Sequence, residues 1–275
     1  MPSMPVAPDS LPPSSVRKAC QILRAVCGHD ACALGVVAVH AGVDKATALR
    51  LLGVLAQEGF VVRNESTKRY AIGPELQALG AMALARFDPS AIVRPSLLRL
   101  ADELEDTVVL LVPRGHESLC LATQEGRFPI RANYLPVGGR RLLGLGAGSL
   151  ALLAWLPARE AQAVLESLAV ALRGHPRVTP ALVESMAAQS RSQGYALSLD
   201  IVIDRVGGVG VPILGHDGRP LGALSVSALS DRITSRLDQI VAALQREAIV
   251  CQDIWRKQLQ PGTPLAPGHE PSQRR

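Results

Sequence analysis

The stretch Gly144-Leu145-Gly146-Ala147-Gly148-Ser149 carries the strongest chemical hint in the chain. Glycines that open a helix leave its first backbone N–H groups uncovered at the positive end of the helix dipole, where a carboxylate fits. The plain alternative is that these glycines only permit close packing, and the residues alone leave both readings open. Arg140 and Arg141, just upstream, either add positive charge to such a site or solvate the start of a buried helix. Farther on, Ser225 and Ser227 alternate with Leu224 and Val226, so both hydroxyls fall on one side of a strand. They can bond a small polar ligand or satisfy neighbouring backbone. Asp200 either lines the same cavity or is a solvated loop acid.

Other chemistries fit less well. Ser149 sits in G-A-G-S-L rather than between the glycines of a nucleophile elbow, and it also replaces the third glycine of a dinucleotide fingerprint. The six histidines show no metal-ligand spacing, and Cys20, Cys27, Cys32, Cys120 and Cys251 form no C-x-x-C pair. The expectation is no metal, no cofactor and no catalytic residue, with a hydrolase-like enzyme as the weakest alternative.

These residues belong to a chain of 275 residues that is 48% apolar and 19% charged, a globular composition and not a disordered one. The longest apolar run, 142–156, is too short for a bilayer and fits a buried helix. The N-terminus has neither a cationic region nor an apolar core, so a cytoplasmic protein with reduced cysteines is expected. Residues 1–73 carry net charge +3 and 256–275 carry +3, whereas 74–255 carry −1. A basic segment beside a neutral one fits a polyanion-binding module joined to a binder of small molecules.

The basic segment has a legible order. Ser14 or Ser15 can cap a helix whose apolar residues Val16, Ala19, Cys20, Leu23 and Val26/Cys27 recur at helical spacing. A second short apolar helix, 34–40, ends at Gly42, which suits a left-handed turn, and Asp44 can cap a third helix over 45–58. On that third helix Ala48, Leu51, Leu52, Leu55 and Ala56 share the inward face, and Ala46, Thr47, Arg50 and Gly53 point outward. Such an outward surface can enter a major groove. A hairpin follows, with Arg63, Lys68 and Arg69 near its tip. Three helices and a basic hairpin make a winged helix-turn-helix, in which the hairpin cations hold phosphates.

The segments Ser15–Ala19, Ala41–Leu52, Glu58–Val61 and Arg69–Pro74, with Gly194-Tyr195-Ala196 and the run Gly210–Ser227, resemble IclR-type (isocitrate lyase regulator) bacterial transcription factors. The likeness spans about residues 14–258. It implies a mixed α+β chain: a winged helix-turn-helix over 14–73, with the helix-turn-helix at about 34–53, a linker helix at 74–90 that also helps dimerisation, and a GAF-like effector domain over 91–259. It also implies double-stranded operator DNA as partner, contacted by Lys45, Ala46, Thr47, Arg50, Arg63, Lys68 and Arg69. A small organic acid is the expected effector, at Gly144, Gly146, Ala147, Gly148, Ser149, Asp200, Ser225 and Ser227. The expected assembly is a homodimer or tetramer without a membrane. A related ligand-binding protein that has lost DNA binding is the alternative, because the second helix lacks the family's usual pattern and holds Gly35. Ala46 stands where the family usually has Ser, and Gly208 where many members carry Cys.

Within the effector domain, helices are expected over 91–105, 146–156, 158–170, 180–192 and 231–258. Strands are expected over 107–112, 118–123, 195–199, 208–214 and 220–228, with a further extended segment at 129–135. The hairpin turn at 216–219 makes adjacent strands antiparallel. The Pro-rich ends, 1–13 and 260–275, read as disordered tails.

Overall fold

The computed structural model describes residues 14–28, 32–132, 135–172 and 178–258, and the expected tails lie outside them. The chain divides into two compact units between Phe87 and Asp88, within the segment expected as a linker.

In the first unit, α1 (Ser15–Cys27), α2 (Leu34–His40) and α3 (Lys45–Gln57) precede an antiparallel hairpin, β1 (Val61–Arg63) and β2 (Tyr70–Ile72), and then α4 (Pro74–Arg86). Ser14 caps α1, its hydroxyl oxygen accepting from the Arg17 N–H at 3.2 Å. The inward face of α1 is Ile22, Ala25 and Val26, whereas Val16, Cys20 and Cys27 are exposed. Of the expected face Val26 is buried and Leu23 packs against the same core, and the correction concerns Val16, Cys20 and Cys27. The buried stripe shares Val26 with the expected row and is turned toward Ile22, which that row left out. The second helix forms without a side-chain cap and despite Gly35, because Val37 and Ala38 pack into the same core as Leu51 and Leu52. Tertiary burial outweighs weak local propensity there. Gly42 takes φ +62° in the turn before α3, as its position requires. The hairpin is anchored to the segment before α2 by reciprocal backbone bonds between Cys32 and Tyr70, at 2.8 and 2.9 Å.

The second unit comprises α5 (Pro89–Leu104), β3 (Thr107–Arg114), β4 (Glu117–Gln124), β5 (Arg140–Leu142), α6 (Ala147–Ala154), α7 (Ala158–Ala171), α8 (Pro180–Gln193), β6 (Ala196–Leu199), β7 (Val206–Leu214), β8 (Pro220–Leu229), α9 (Ser230–Ser235) and α10 (Leu237–Gln258). The strands form one sheet in the order β5-β4-β3-β8-β7-β6, with every neighbouring pair antiparallel. Val109, Leu111 and Ala223 join the core cluster that contains α6, and Gly222, one residue from Ala223, comes against Trp255 of α10. By strand alternation α6 and α10 therefore cover opposite faces.

Two expectations are corrected. The described part of 129–135 holds no strand, and the edge of the sheet is β5 instead, paired Glu117↔Leu142 and Leu119↔Arg140. Pro129 deprives the expected segment of a ladder donor at its start. The final helix is two helices, broken at Arg236. Asp106, whose carboxylate is almost wholly enclosed, accepts from Arg232 at 2.8 Å and from Arg236 at 3.2 Å, and Arg236 also donates to the Leu104 carbonyl. Among the described residues, no helix is long and apolar enough to cross a membrane.

Candidate nucleic-acid interface and ligand pocket

Helix α3 is fixed at its start by Asp44. One carboxylate oxygen accepts from the Thr47 N–H at 2.8 Å and the other from the Thr47 hydroxyl at 2.7 Å. Those bonds hold the Asp44 carboxyl below its usual range. Ala48, Leu51, Leu52 and Leu55 are buried, so the helix is locked by one face. Lys45, Ala46, Arg50 and Gly53 are exposed and Thr47 is half-buried. The Thr47 hydroxyl proton is engaged with Asp44, leaving its oxygen as an acceptor. Arg50 makes no hydrogen bond or ion pair among the described residues, so its guanidinium is available to a base edge.

The hairpin tip is built around an Asn64 turn, in which the side-chain oxygen accepts from the N–H groups of Ser66 and Thr67. Its cations are less free than the sequence implied. Lys68, at φ +56°, lies 2.9 Å from the Glu65 carboxylate, and Arg63 lies 3.8 Å from it and over the Tyr70 ring. Lys68 first, then Arg63, holds the Glu65 carboxyl below its ordinary range. The tip thus carries three cations and one acid that contacts two of them. Arg69 is exposed and lies near enough to Cys32 for its charge to act on that thiol.

In the second unit, one pocket is lined by Gly146, Ala147, Gly148, Ser149, Ser225 and Ser227, six of the eight residues expected at the effector site. Val109, Leu111, Ala132, Leu135, Leu145 and Arg141 complete its wall, around a cavity of about 30 Å³. Helix α6 begins here, with Gly146 at φ +80° and no side-chain cap over its first N–H groups. The glycines serve packing as well. A Cβ on Gly148 would meet Leu111 at 2.6 Å, and one on Gly210 of β7 would meet the Ala147 carbonyl oxygen at 2.5 Å. The two readings of this stretch are therefore compatible, since the helix must lie close on the sheet for its N-terminus to reach the pocket.

The hydroxyls differ among themselves. Ser225 donates to the Val209 carbonyl at 2.9 Å, and Ser149 and Ser118 share a bond of 2.6 Å. Ser227 has no such partner among the described residues. Gly144 and Asp200 do not line this pocket. Gly144, at φ +92°, has Val183 where a Cβ would stand, so its role is packing. Asp200, at φ +59°, accepts from Ser230 at 2.8 Å and faces a separate hollow with Arg205 and Asp231.

The chain matches the IclR helix-turn-helix domain over residues 15–65 and the family "Bacterial transcriptional regulator IclR C-terminal" over residues 81–251. It belongs to the IclR family of transcriptional regulators. It is 30% identical over 214 residues to the HTH-type transcriptional regulator XynR of Escherichia coli K12, covering 76% of this chain and 81% of that one. A crystal structure of an IclR-type regulator from Silicibacter sp. TM1040 superposes with TM-score 0.74 at 26% identity, over 92% of this chain and 100% of the other. At 21% identity and TM-score 0.72, over 89% of this chain and 100% of the other, the fold is shared with an IclR homolog from Microbacterium hydrocarbonoxydans complexed with 4-hydroxybenzoate.

As an IclR-type DNA-binding regulator, the chain holds pocket residues that sequence reading missed. Ser118, which does not line the pocket but bonds the Ser149 hydroxyl behind it, gave no local signal. Val109 and Leu111 were legible only as alternate residues of a strand. Arg141 was visible as a cation beside the glycines, and β5 turns it into the pocket wall.

Proposed function

We infer that this regulator reads operator DNA with α3 and is controlled by a small organic acid bound in the α6 pocket. Thr47 and Arg50 contact base edges, Lys45 and Ala46 lie beside them, and Arg63, Lys68 and Arg69 hold phosphates. The observation that carries the DNA reading is the unpaired, exposed Arg50 on a helix whose opposite face is buried. For the effector, the uncapped start of α6 lies in one wall with Arg141 and the unengaged Ser227 hydroxyl, a donor set suited to a carboxylate. Val109 and Leu111 give the pocket an apolar side for the hydrocarbon body of a small acid, whose entry requires the walls to move apart from the present cavity of about 30 Å³, and the Microbacterium homolog is complexed with 4-hydroxybenzoate.

The protein acts in the cytoplasm as a homodimer or tetramer, without cofactor, metal or catalytic step. Leu79, Met82 and Leu84 stand exposed on α4, consistent with the segment 74–90 pairing with a second copy. The test is a thermal-shift screen of carboxylates, 4-hydroxybenzoate, benzoate and pyruvate among them, followed by DNA binding with and without each hit. The expected result is a hit that stabilises the wild type, leaves Arg141→Ala unchanged and alters DNA affinity. A hit that stabilises Arg141→Ala equally would reject this pocket.

A further inference from the structure

The outward surface of α3 contains two features that its own fold does not explain. Gly53 lies in the middle of the helix, where glycine is unfavourable relative to alanine because it adds backbone freedom to the unfolded chain. In compensation one looks for a close contact that a Cβ would spoil, and a Cβ at 53 would meet nothing within 4 Å. The glycines at 73, 148 and 210 do have such contacts, whereas Gly80, on the exposed surface of α4, shares the open space of Gly53. Leu49 is the second feature, with 51% of its surface exposed on the same helix.

At about 100° per residue, Gly53 and Ala46 fall between Leu49 and Arg50 around the helix. The surface over the first three turns is therefore a notch, with a leucine on one rim, an unpaired cation on the other and the small residues 46 and 53 between them, while Gln57 closes the same stripe at the end of the helix and Val54 stands exposed beyond Arg50. Resting on the reading that α3 enters the major groove, we propose that Leu49 packs on a thymine 5-methyl group and that Gly53 admits the DNA to the helix backbone. The thymine methyl is the apolar group displayed in that groove, and an exposed leucine beside an arginine is complementary to a thymine next to a guanine. Gly53 is then kept for the partner, at a cost to the domain itself.

The test uses full-length protein and duplexes that the wild type enriches from a random-sequence pool, with deoxyuridine replacing each thymine in turn. At one thymine per half-site, losing the methyl weakens wild-type binding roughly fourfold, the worth of one buried methyl group, and Leu49→Ala removes that difference. Gly53→Ala raises the unfolding midpoint yet weakens the enriched duplex about tenfold, as one misplaced groove contact would. If no thymine shows a penalty that depends on Leu49, or if Gly53→Ala binds like wild type, the proposal is overturned. Arg50→Ala separates the two levels. Loss of discrimination in Arg50→Ala alone leaves α3 as the reader and rejects only the roles of Leu49 and Gly53, whereas unchanged discrimination in all three variants rejects α3 as the reader.

Discussion

Glu65 stands between two cations that a phosphate would otherwise engage, at 2.9 Å from Lys68 and 3.8 Å from Arg63. Replacing it with Gln should strengthen binding to every duplex, enriched or scrambled, severalfold at low salt and less at high salt. Lys68→Ala should weaken all sequences alike and lower the slope of log affinity against log salt by about 1. Its effect should be larger in a Glu65→Gln background, where the lysine is no longer partnered. Anisotropy titrations across a salt series check all three. Asp44 gives a pH dependence of known sign. Its folded-state carboxyl is held below the ordinary aspartate value of 3.8, so its contribution is complete at neutral pH and is lost as pH falls below 3.8 through the folded value. Asp44→Asn, which caps without titrating, should flatten that part of the thermal-midpoint profile between pH 2 and pH 5, an order-of-magnitude window about the carboxylate range. At this scale the sequence showed residue type but not partner. Ser225 and Ser227 looked equivalent, and only the β7–β8 register shows that one hydroxyl is engaged with Val209 and the other is not.

Helix α6 is buried at all eight positions and lies directly on the sheet because β7 offers Gly208 and Gly210 beneath it. Gly210→Ala would push a Cβ against the Ala147 carbonyl group, which is backbone and cannot swing aside. The expected cost is about 1–3 kcal/mol of stability, read by urea unfolding, together with loss of the effector-induced thermal shift. A variant that unfolds like wild type would show that α6 yields. Elements with one decided face were legible: α3 and the antiparallel strands follow directly from helical spacing and tight turns. The errors came where spacing alone did not decide. In α1 the expected row was right at Leu23 and Val26 but ran out to the exposed Val16 and Cys20, and β5 is three residues long, too short for alternation to register. The break at Arg236 depends on Asp106, distant in sequence, so no local pattern could mark it.

The whole chain joins a basic reading unit to a nearly neutral unit with a pocket, as the charge distribution implied. A ligand that binds the folded second unit stabilises it by about 2.7 kcal/mol at one hundred times its dissociation constant. It changes DNA affinity only by its preference between the DNA-bound and free arrangements, and DNA must change ligand affinity by the same factor. Titrating the ligand with and without duplex checks that equality. The claim on which the rest depends is that α3 reads sequence through Arg50. Its most direct test is the ratio of affinities for an enriched and a scrambled duplex, measured at one salt concentration for wild type and Arg50→Ala. Arg50→Ala is expected to lose about 1–3 kcal/mol of that discrimination, concentrated at one base pair of each half-site. An unchanged ratio in a folded Arg50→Ala protein would contradict it.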